Sequence, residues 1–269
     1  MRPKKILFTI TLVILLGVFI FSATYVLDFY INSAKQKGEF DELASMVESV
    51  QAQQPTESQP LFDPDGEGQT LPTEPTEPGM LPEYAPLFDL NPDIAGWMKI
   101  EDTRINYPVM HTPDRPDYYL YRNFKQENSA QGCLYAREVC DIVSPSDNIT
   151  IYGHCMNDGS MFEGLHDYLD KDFFLEHGII QFDTLMEHHE YQIFAVFKTT
   201  ASIGEGFAYH QFVNAASEEE FDSFVSVCKN LSFYETGFTP KYGDKLITLS
   251  TCEYTQVNGR LVVVAYRIS

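Results

Sequence analysis

The hydrophobic pattern divides the chain into an apolar N-terminal run, a polar middle part and a globular remainder. Residues 6–27 carry no charged side chain and lie between a basic N-terminus and Asp28. About twenty apolar residues are enough for a helix to cross the core of a bilayer. Because the positive charges precede the run, we expect a signal anchor over residues 6–28, with residues 1–5 in the cytoplasm and the rest outside. A cleaved signal peptide is the alternative, since Ser22-Ala23-Thr24 is a weak cleavage candidate.

The polar middle part, residues 29–80, is predicted to be a stalk. Ile31–Gln53 is polar and charged apart from a thin apolar stripe, which favours a helix that emerges from the membrane. Gln54–Glu83 contains seven prolines interleaved with Thr and Glu. Such a segment cannot bury enough apolar surface to offset its ordering entropy. The composition therefore predicts a helical and then disordered stalk, followed by a globular domain over residues 81–269.

The globular part alternates short β-favouring segments with a few helices. Its strongest helical pattern is Ser217–Asn230, where Ser217 and Glu220 form a capping box and apolar residues follow at helical spacing. Strands are predicted at residues 97–100, 103–110, 132–136, 148–152, 179–182, 191–200, 245–251 and 261–268, and shorter helical segments at 87–96, 118–124, 161–168 and 171–176. Pro108 is expected to mark an edge or an end of its strand. This pattern predicts a mainly β architecture, a barrel with peripheral helices.

Composition and charge exclude several classes of function. The 269 residues have a formal net charge of −21, which argues against binding to nucleic acid because phosphates would be repelled. The five cysteines form no C-x-x-C pair, so the sequence predicts no metal site of the zinc-ribbon kind. Cys133 and Cys140 are close enough in sequence to form a pair in principle. Gly204-Glu205-Gly206 lacks the Gly-Lys-Ser/Thr of a phosphate loop, and no cofactor is expected.

The last two predicted strands form a hairpin that brings two reactive groups together. Asn258-Gly259 is a strong turn signal between them. Cys252 ends the first strand and Arg260 begins the second, so pairing places a thiol and a guanidinium side by side. A core cysteine beside a surface arginine is the alternative interpretation of this pair, since free cysteines are usually buried and inert.

His154 is the histidine whose position points to catalysis. It follows the predicted strand 148–152 through Gly153, and loops at strand ends are where catalytic residues collect. A Cys, a His and an Arg together can support acyl transfer. The thiolate attacks, the imidazolium protonates the leaving amine, and the permanently charged guanidinium stabilises an oxyanion or clamps a carbonyl.

Two sequence segments carry a resemblance to a known family. Thr248-Leu249-Ser250-Thr251-Cys252 resembles the sortase signature TLxTC, and Arg260 follows it as the sortase arginine does. Residues 151–165, which begin with Ile-Tyr-Gly-His, resemble the segment around the sortase histidine. The resemblance covers about residues 81–269. The helix at 217–230, the helical start near 87–96 and the segment around residues 118–136 make the chain most similar to class B.

The resemblance implies a fold, a reaction and a set of partners. The fold would be the sortase β-barrel of about eight strands. Cys252 would attack the threonine carbonyl of an NPxTx-like sorting motif in exported surface proteins and form a thioester, with His154 as acid and base and Arg260 on the carbonyls. The acceptor would be a cell-wall precursor amine, from a peptidoglycan cross-bridge or lipid II, at a Gram-positive cell membrane. Residues expected to line the groove are Tyr152, Ser250, Thr251 and Glu253.

Three other functions remain open from the sequence. A pilin-polymerising sortase would use a lysine of another subunit as the acceptor. A catalytically silent surface-binding domain would have no chemical reason to keep a Cys, His and Arg set. A general cysteine protease would hydrolyse its substrate efficiently without an added amine.

Overall fold

A computed structural model describes residues 3–53, 79–202 and 204–269. The chain divides into a unit that ends at Glu42 and a unit over Leu43–Ser269. The first unit is formed by the N-terminal part of helix α1 (Pro3–Gln51), which is long and apolar enough to cross a membrane. Its large apolar side chains from Leu7 to Leu27 are exposed, as in Phe19 at 69%. The predicted anchor is therefore helical, whereas the proline-rich part of the predicted stalk, residues 54–78, lies outside the described residues.

The described residues of the second unit form eight strands and the remaining helices. The strands are β1 (Ile94–Lys99), β2 (Asn106–Met110), β3 (Leu134–Ala136), β4 (Asn148–Tyr152), β5 (Ile179–Thr184), β6 (Glu190–Thr200), β7 (Leu246–Glu253) and β8 (Gly259–Arg267). The helices are the end of α1, α2 (Ala85–Leu90), α3 (Lys171–Glu176) and α4 (Glu218–Leu231), with 3-10 turns at Tyr118–Tyr121, Glu163–Leu169 and Tyr209–Gln211.

The strands close into a barrel in the order β1-β2-β3-β4-β7-β8-β6-β5. Two neighbouring pairs, β2–β3 and β4–β7, are parallel, and the others are antiparallel. The mainly β prediction and the count of eight strands are confirmed. Pro108 pairs with β1 but lies before the β2–β3 pairing begins at Val109, so its missing N–H interrupts no bond to β3.

The helix predicted at 87–96 is wrong in its extent. Helix α2 ends at Leu90, and β1 begins at Ile94. Asn91 is extended with φ −152°, as expected for a residue that precedes a proline. Its buried side chain donates to the carbonyl of Phe124 and to the Tyr119 hydroxyl, at 2.7 and 2.8 Å. These tertiary contacts end the helix and turn the chain into the barrel.

Helix α4 packs against the barrel along the predicted apolar face. Phe221, Phe224, Val225 and Cys228 are all buried there against strands β6, β7 and β8. Full burial of such side chains contributes about 1.5–3 kcal/mol each. The Ser217 hydroxyl accepts from the N–H of Glu220 at 3.3 Å and caps the helix as predicted. The Glu220 carboxylate, however, accepts from the N–H of Ala216 rather than from that of Ser217.

The loop between β7 and β8 turns at the predicted Asn-Gly pair. Asn258 adopts the left-handed conformation with φ 53°. A Cβ atom on Gly259 would lie 2.4 Å from the carbonyl oxygen of Glu253, so only glycine fits there. This turn fixes the register between β7, which precedes it, and β8, which follows it.

Candidate active site

The β7–β8 register places Cys252 directly opposite Arg260. Residues opposed in an antiparallel pair have their Cβ atoms about 4.5–5.5 Å apart and project to the same face. The Cys252 side chain is half-buried. The Arg260 guanidinium donates through Nη1 to the carbonyl of Gly259 at 2.9 Å. Within the described part of the chain no carboxylate forms an ion pair with it.

His154 reaches the same end of the barrel through the parallel pair β4–β7. Tyr152 pairs with Ser250, so His154 and Cys252 each lie two residues beyond a shared register point. The Thr251 hydroxyl donates to the carbonyl of Gly153 at 2.8 Å and ties the two strand ends together. A Cβ atom on Gly153 would lie 2.5 Å from the side chain of Leu134 and 2.6 Å from the ring of Phe162, so a larger residue there would displace both side chains.

The His154 ring is held from one side by two residues of the 3-10 turn Tyr118–Tyr121. Nε2 lies 2.8 Å from the carbonyl oxygen of Leu120, and the ring of Tyr121 is tilted against the imidazole at 5.4 Å. A carbonyl can only accept, so Nε2 carries a proton. Nδ1, which has no hydrogen-bond partner among the described residues, is then the atom that can gain or lose one. No sequence signal pointed to this contact, because its acceptor is a backbone carbonyl.

A groove of about 500 Å³ contains the three residues and most of the predicted substrate-binding set. Its lining includes Tyr152, His154, Ser250, Thr251, Cys252 and Arg260. The Ser250 and Tyr209 hydroxyls are 2.6 Å apart, and burial raises the pKa of the Tyr209 phenol although that hydrogen bond lowers it. Burial also raises the pKa of Tyr152. Both phenols are therefore neutral at physiological pH.

Glu253, also predicted to line the groove, is not among the residues that line it. Its buried carboxylate accepts from Lys198 Nζ at 2.8 Å and from the Thr255 hydroxyl at 2.7 Å. Burial by itself raises the pKa of the Glu253 carboxyl, but these hydrogen bonds outweigh it and lower the pKa. The Glu253 side chain therefore contacts the β7–β8 loop through Thr255 and does not line the groove.

The other cysteines are free, and Cys133, Cys140 and Cys228 are buried. Cys155 is half-buried, with its sulfur 3.9 Å from Nδ1 of His166. Burial, and then the negative charges of Glu163 and Cys252, raise the pKa of the Cys155 thiol to about 11. Cys155 is therefore a protonated thiol at neutral pH. Among the described residues no group of three or more His, Cys, Asp or Glu side chains could hold a metal ion.

Comparisons with known proteins agree with this fold. A family model described as a sortase domain matches residues 98–268. A sortase B of Listeria monocytogenes is 35% identical over 185 residues, which cover 67% of this chain and 72% of that protein. A sortase B of Staphylococcus aureus is 27% identical over 267 residues, which cover 98% of both chains.

A solved structure of a related protein gives the same barrel. A Staphylococcus aureus sortase B–substrate complex superimposes with a TM-score of 0.74 and 24% identity, covering 89% of this chain and 99% of that one. At that identity the likeness shows the fold.

Proposed function

This chain belongs to the sortase family, as a class B member and a cysteine transpeptidase, and on that premise we propose that Cys252 is its nucleophile. In this proposal the enzyme cleaves an NPxTx-like sorting motif of an exported protein and passes the acyl group to a cell-wall amine. The observation that carries it is the meeting of Cys252, His154 and Arg260 at one end of β4, β7 and β8, in one groove.

The first half of the reaction forms a thioester. The Cys252 thiolate attacks the carbonyl carbon of the motif's threonine and gives a tetrahedral intermediate. Nδ1 of the His154 imidazolium protonates the leaving amine as the carbon–nitrogen bond breaks. The hydrogen bond from Nε2 to Leu120 holds the ring in one orientation through both protonation states, since Nε2 carries its proton in each.

The second half transfers the acyl group. An incoming primary amine attacks the thioester carbonyl, and Nδ1 of the now neutral His154 takes the amine's proton. The tetrahedral intermediate then releases the Cys252 thiolate and leaves a new amide bond. An amine must outcompete water at this step, which separates a transpeptidase from a protease.

Arg260 stabilises the negative charge that develops on the carbonyl oxygen. Its guanidinium lies opposite Cys252 and uses only Nη1 on the carbonyls of Gly259 and Asn258, so the N–H groups of Nε and Nη2 remain for the oxyanion or for carbonyls of the bound peptide. Arginine keeps its charge at every physiological pH, so it acts as a donor and not as a base.

The sidedness of the protein follows from the same proposal. The apolar part of α1 anchors the chain in the cell membrane, with the basic N-terminus in the cytoplasm and the barrel outside. Surface proteins that carry the motif and peptidoglycan precursors that carry the amine meet the groove there. The solved Staphylococcus aureus relative was captured with a substrate, which supports peptide binding in this fold.

A peptide assay with the full chain in detergent tests the proposal. Peptides that contain NPxTx or LPxTG motifs are offered with and without triglycine or diaminopimelate, and the products are weighed by mass spectrometry. We expect cleavage after the threonine and a product extended by the amine. Cleavage with no amine incorporation at any acceptor concentration would contradict transpeptidation of this kind.

A further inference from the structure

The groove contains a second guanidinium that the proposed reaction does not use. Arg137 directly follows β3 and lines the groove together with Arg260. The chain as a whole is strongly acidic, at −21, so two guanidinium groups in one groove run against the general charge. Both positive charges act on the neighbouring His210. Burial, and then the charges of Arg137 and Arg260, lower the pKa of its imidazole.

Strand register gives the distance from Arg137 to the thiol. The N–H of Arg137 donates to the carbonyl of Thr150, which pairs with Thr248, four residues before Cys252 on β7. Four residues along a strand and two strand spacings across it put the two backbones about 16 Å apart. When the arginine side chain reaches along the groove, about three extended peptide residues fit between its guanidinium and the sulfur of Cys252.

A series of side-chain contacts through His210 and Tyr209, called the wall below, connects Arg137 to strand β7. One guanidinium N–H of Arg137 donates to the carbonyl of His210. The rings of His210 and Tyr209 meet edge to face at 5.5 Å, and the Tyr209 hydroxyl bonds Ser250, two residues before Cys252. The wall is held by these contacts, so the position of Arg137 relative to Cys252 is fixed.

The Arg137 guanidinium keeps donors free for a ligand. Beyond its bond to His210, its Nε lies 4.0 Å from the Glu138 carboxylate, which is an ion-pair contact at the limit of range. Its side chain is 21% exposed. An arginine has five N–H donors and no acceptor, so a ligand at this position must offer an oxygen.

The chemistry at His154 decides which part of the peptide lies along this wall. The leaving amine must reach Nδ1 of His154, beside Leu120 and Tyr121. The residues that stay attached to the acyl carbon therefore extend away from His154, past Ser250 and Tyr209.

We infer that Arg137 is a specificity-determining residue that binds the side-chain oxygen of an amide or carboxylate residue three positions before the cleaved threonine. This inference rests on the proposed function. The Arg137 guanidinium then selects the side chain at that position of the sorting motif. The positive charge of the Arg137 guanidinium disfavours a cationic side chain at the same place.

Three peptides that differ only at this position test the inference. They carry Asn, Asp or Leu, which have similar size, three residues before the threonine. The unmodified full chain is expected to favour Asn or Asp over Leu by roughly tenfold or more in kcat/KM. Arg137→Met, which keeps the length of the side chain but removes its donors, should reduce that ratio to near one, chiefly by lowering kcat/KM for the Asn and Asp peptides. Arg104→Met is the matched control, because Arg104 also donates to a backbone carbonyl, that of Asp158, but does not line the groove.

The outcomes separate this inference from the proposed function. If Arg137 only supports the His210 segment, Arg137→Met will slow all three peptides equally and keep their ratio, which would overturn the inference. Dissociation constants of the same peptides for the Cys252→Ala chain give a second readout that needs no chemistry, and a preference that survives Arg137→Met there would overturn it as well. Loss of cleavage of every peptide by the unmodified chain would contradict the proposed function instead.

Discussion

Cys252 and Arg260 face each other across β7 and β8, joined by a loop whose turn is fixed by Asn258 and Gly259. The register of one hairpin therefore sets the distance between thiol and guanidinium, and no long-range packing is needed for it. His154 joins them from a different part of the chain through the parallel pair β4–β7. A substitution that shifts the hairpin register would separate two of the three groups at once.

Replacement of the two half-buried cysteines should have opposite effects. Cys252→Ala removes the nucleophile of the proposed reaction and should abolish peptide cleavage. Cys155→Ala removes a protonated thiol and should retain most of the activity. The measurement is the initial rate of cleavage of a fluorogenic sorting peptide, and an inactive Cys155→Ala beside an active Cys252→Ala would reverse the assignment of the nucleophile.

Arg260→Lys should be severely impaired although the charge is kept. A point ammonium cannot reproduce a guanidinium that holds the Gly259 carbonyl and an oxyanion together. We expect a loss of about 10²–10³ in kcat, as for removal of one oxyanion donor. Arg267→Lys, farther along the same strand, is the control and should be close to the unmodified enzyme. Normal kcat in Arg260→Lys would exclude the oxyanion role.

Alkylation should discriminate between Cys155 and the nucleophile. Because the pKa of Cys155 is raised to about 11, about one molecule in a thousand carries its thiolate at pH 8. Iodoacetamide at pH 8 should therefore modify Cys252 well before Cys155, and Cys155 should react faster as the pH approaches 11. Peptide mapping after timed alkylation measures both sites, and rapid labelling of Cys155 at pH 8 would contradict the raised pKa.

The buried carboxylate of Glu253 should make stability depend on pH. Its pKa is lowered from 4.5 by Lys198 and Thr255, so the ionised form is favoured in the folded state. The stabilisation is then complete above pH 4.5 and is lost as the pH falls through the lower folded-state pKa.

Melting temperatures of the unmodified chain and of Glu253→Gln test this dependence between pH 3 and 8. The difference between the two should be largest at neutral pH and should shrink on acidification. A difference that stays constant over the whole range would show that ionisation of Glu253 does not contribute.

Local sequence signals predicted the parts of this structure that depend on neighbours in the chain. The spacing of Phe221, Phe224, Val225 and Cys228 gave the buried face of α4, and the Asn-Gly turn gave the pairing of Cys252 with Arg260. These features require only helical periodicity or a short loop.

Contacts between distant segments were not accessible from such signals. The Leu120 carbonyl orients His154 across 34 residues, and a backbone acceptor leaves no trace in side-chain chemistry. Glu253 is adjacent to Cys252 in sequence but points to Lys198, 55 residues away, because neighbours along a strand face opposite sides. The wall from Ser250 to Arg137 likewise depends on the barrel's strand order.

The most direct test of the central claim is to detect the acyl-enzyme itself. The full chain is mixed with a sorting peptide in the absence of amine, quenched in acid within seconds, digested at low pH and mapped by mass spectrometry. The account predicts that the peptide containing Cys252 gains the mass of the acyl fragment ending in threonine. Hydroxylamine should release that fragment as its hydroxamate, and triglycine added to the unquenched enzyme should release it as the amide. An acyl group found on another residue, or full turnover with no adduct on Cys252, would contradict it.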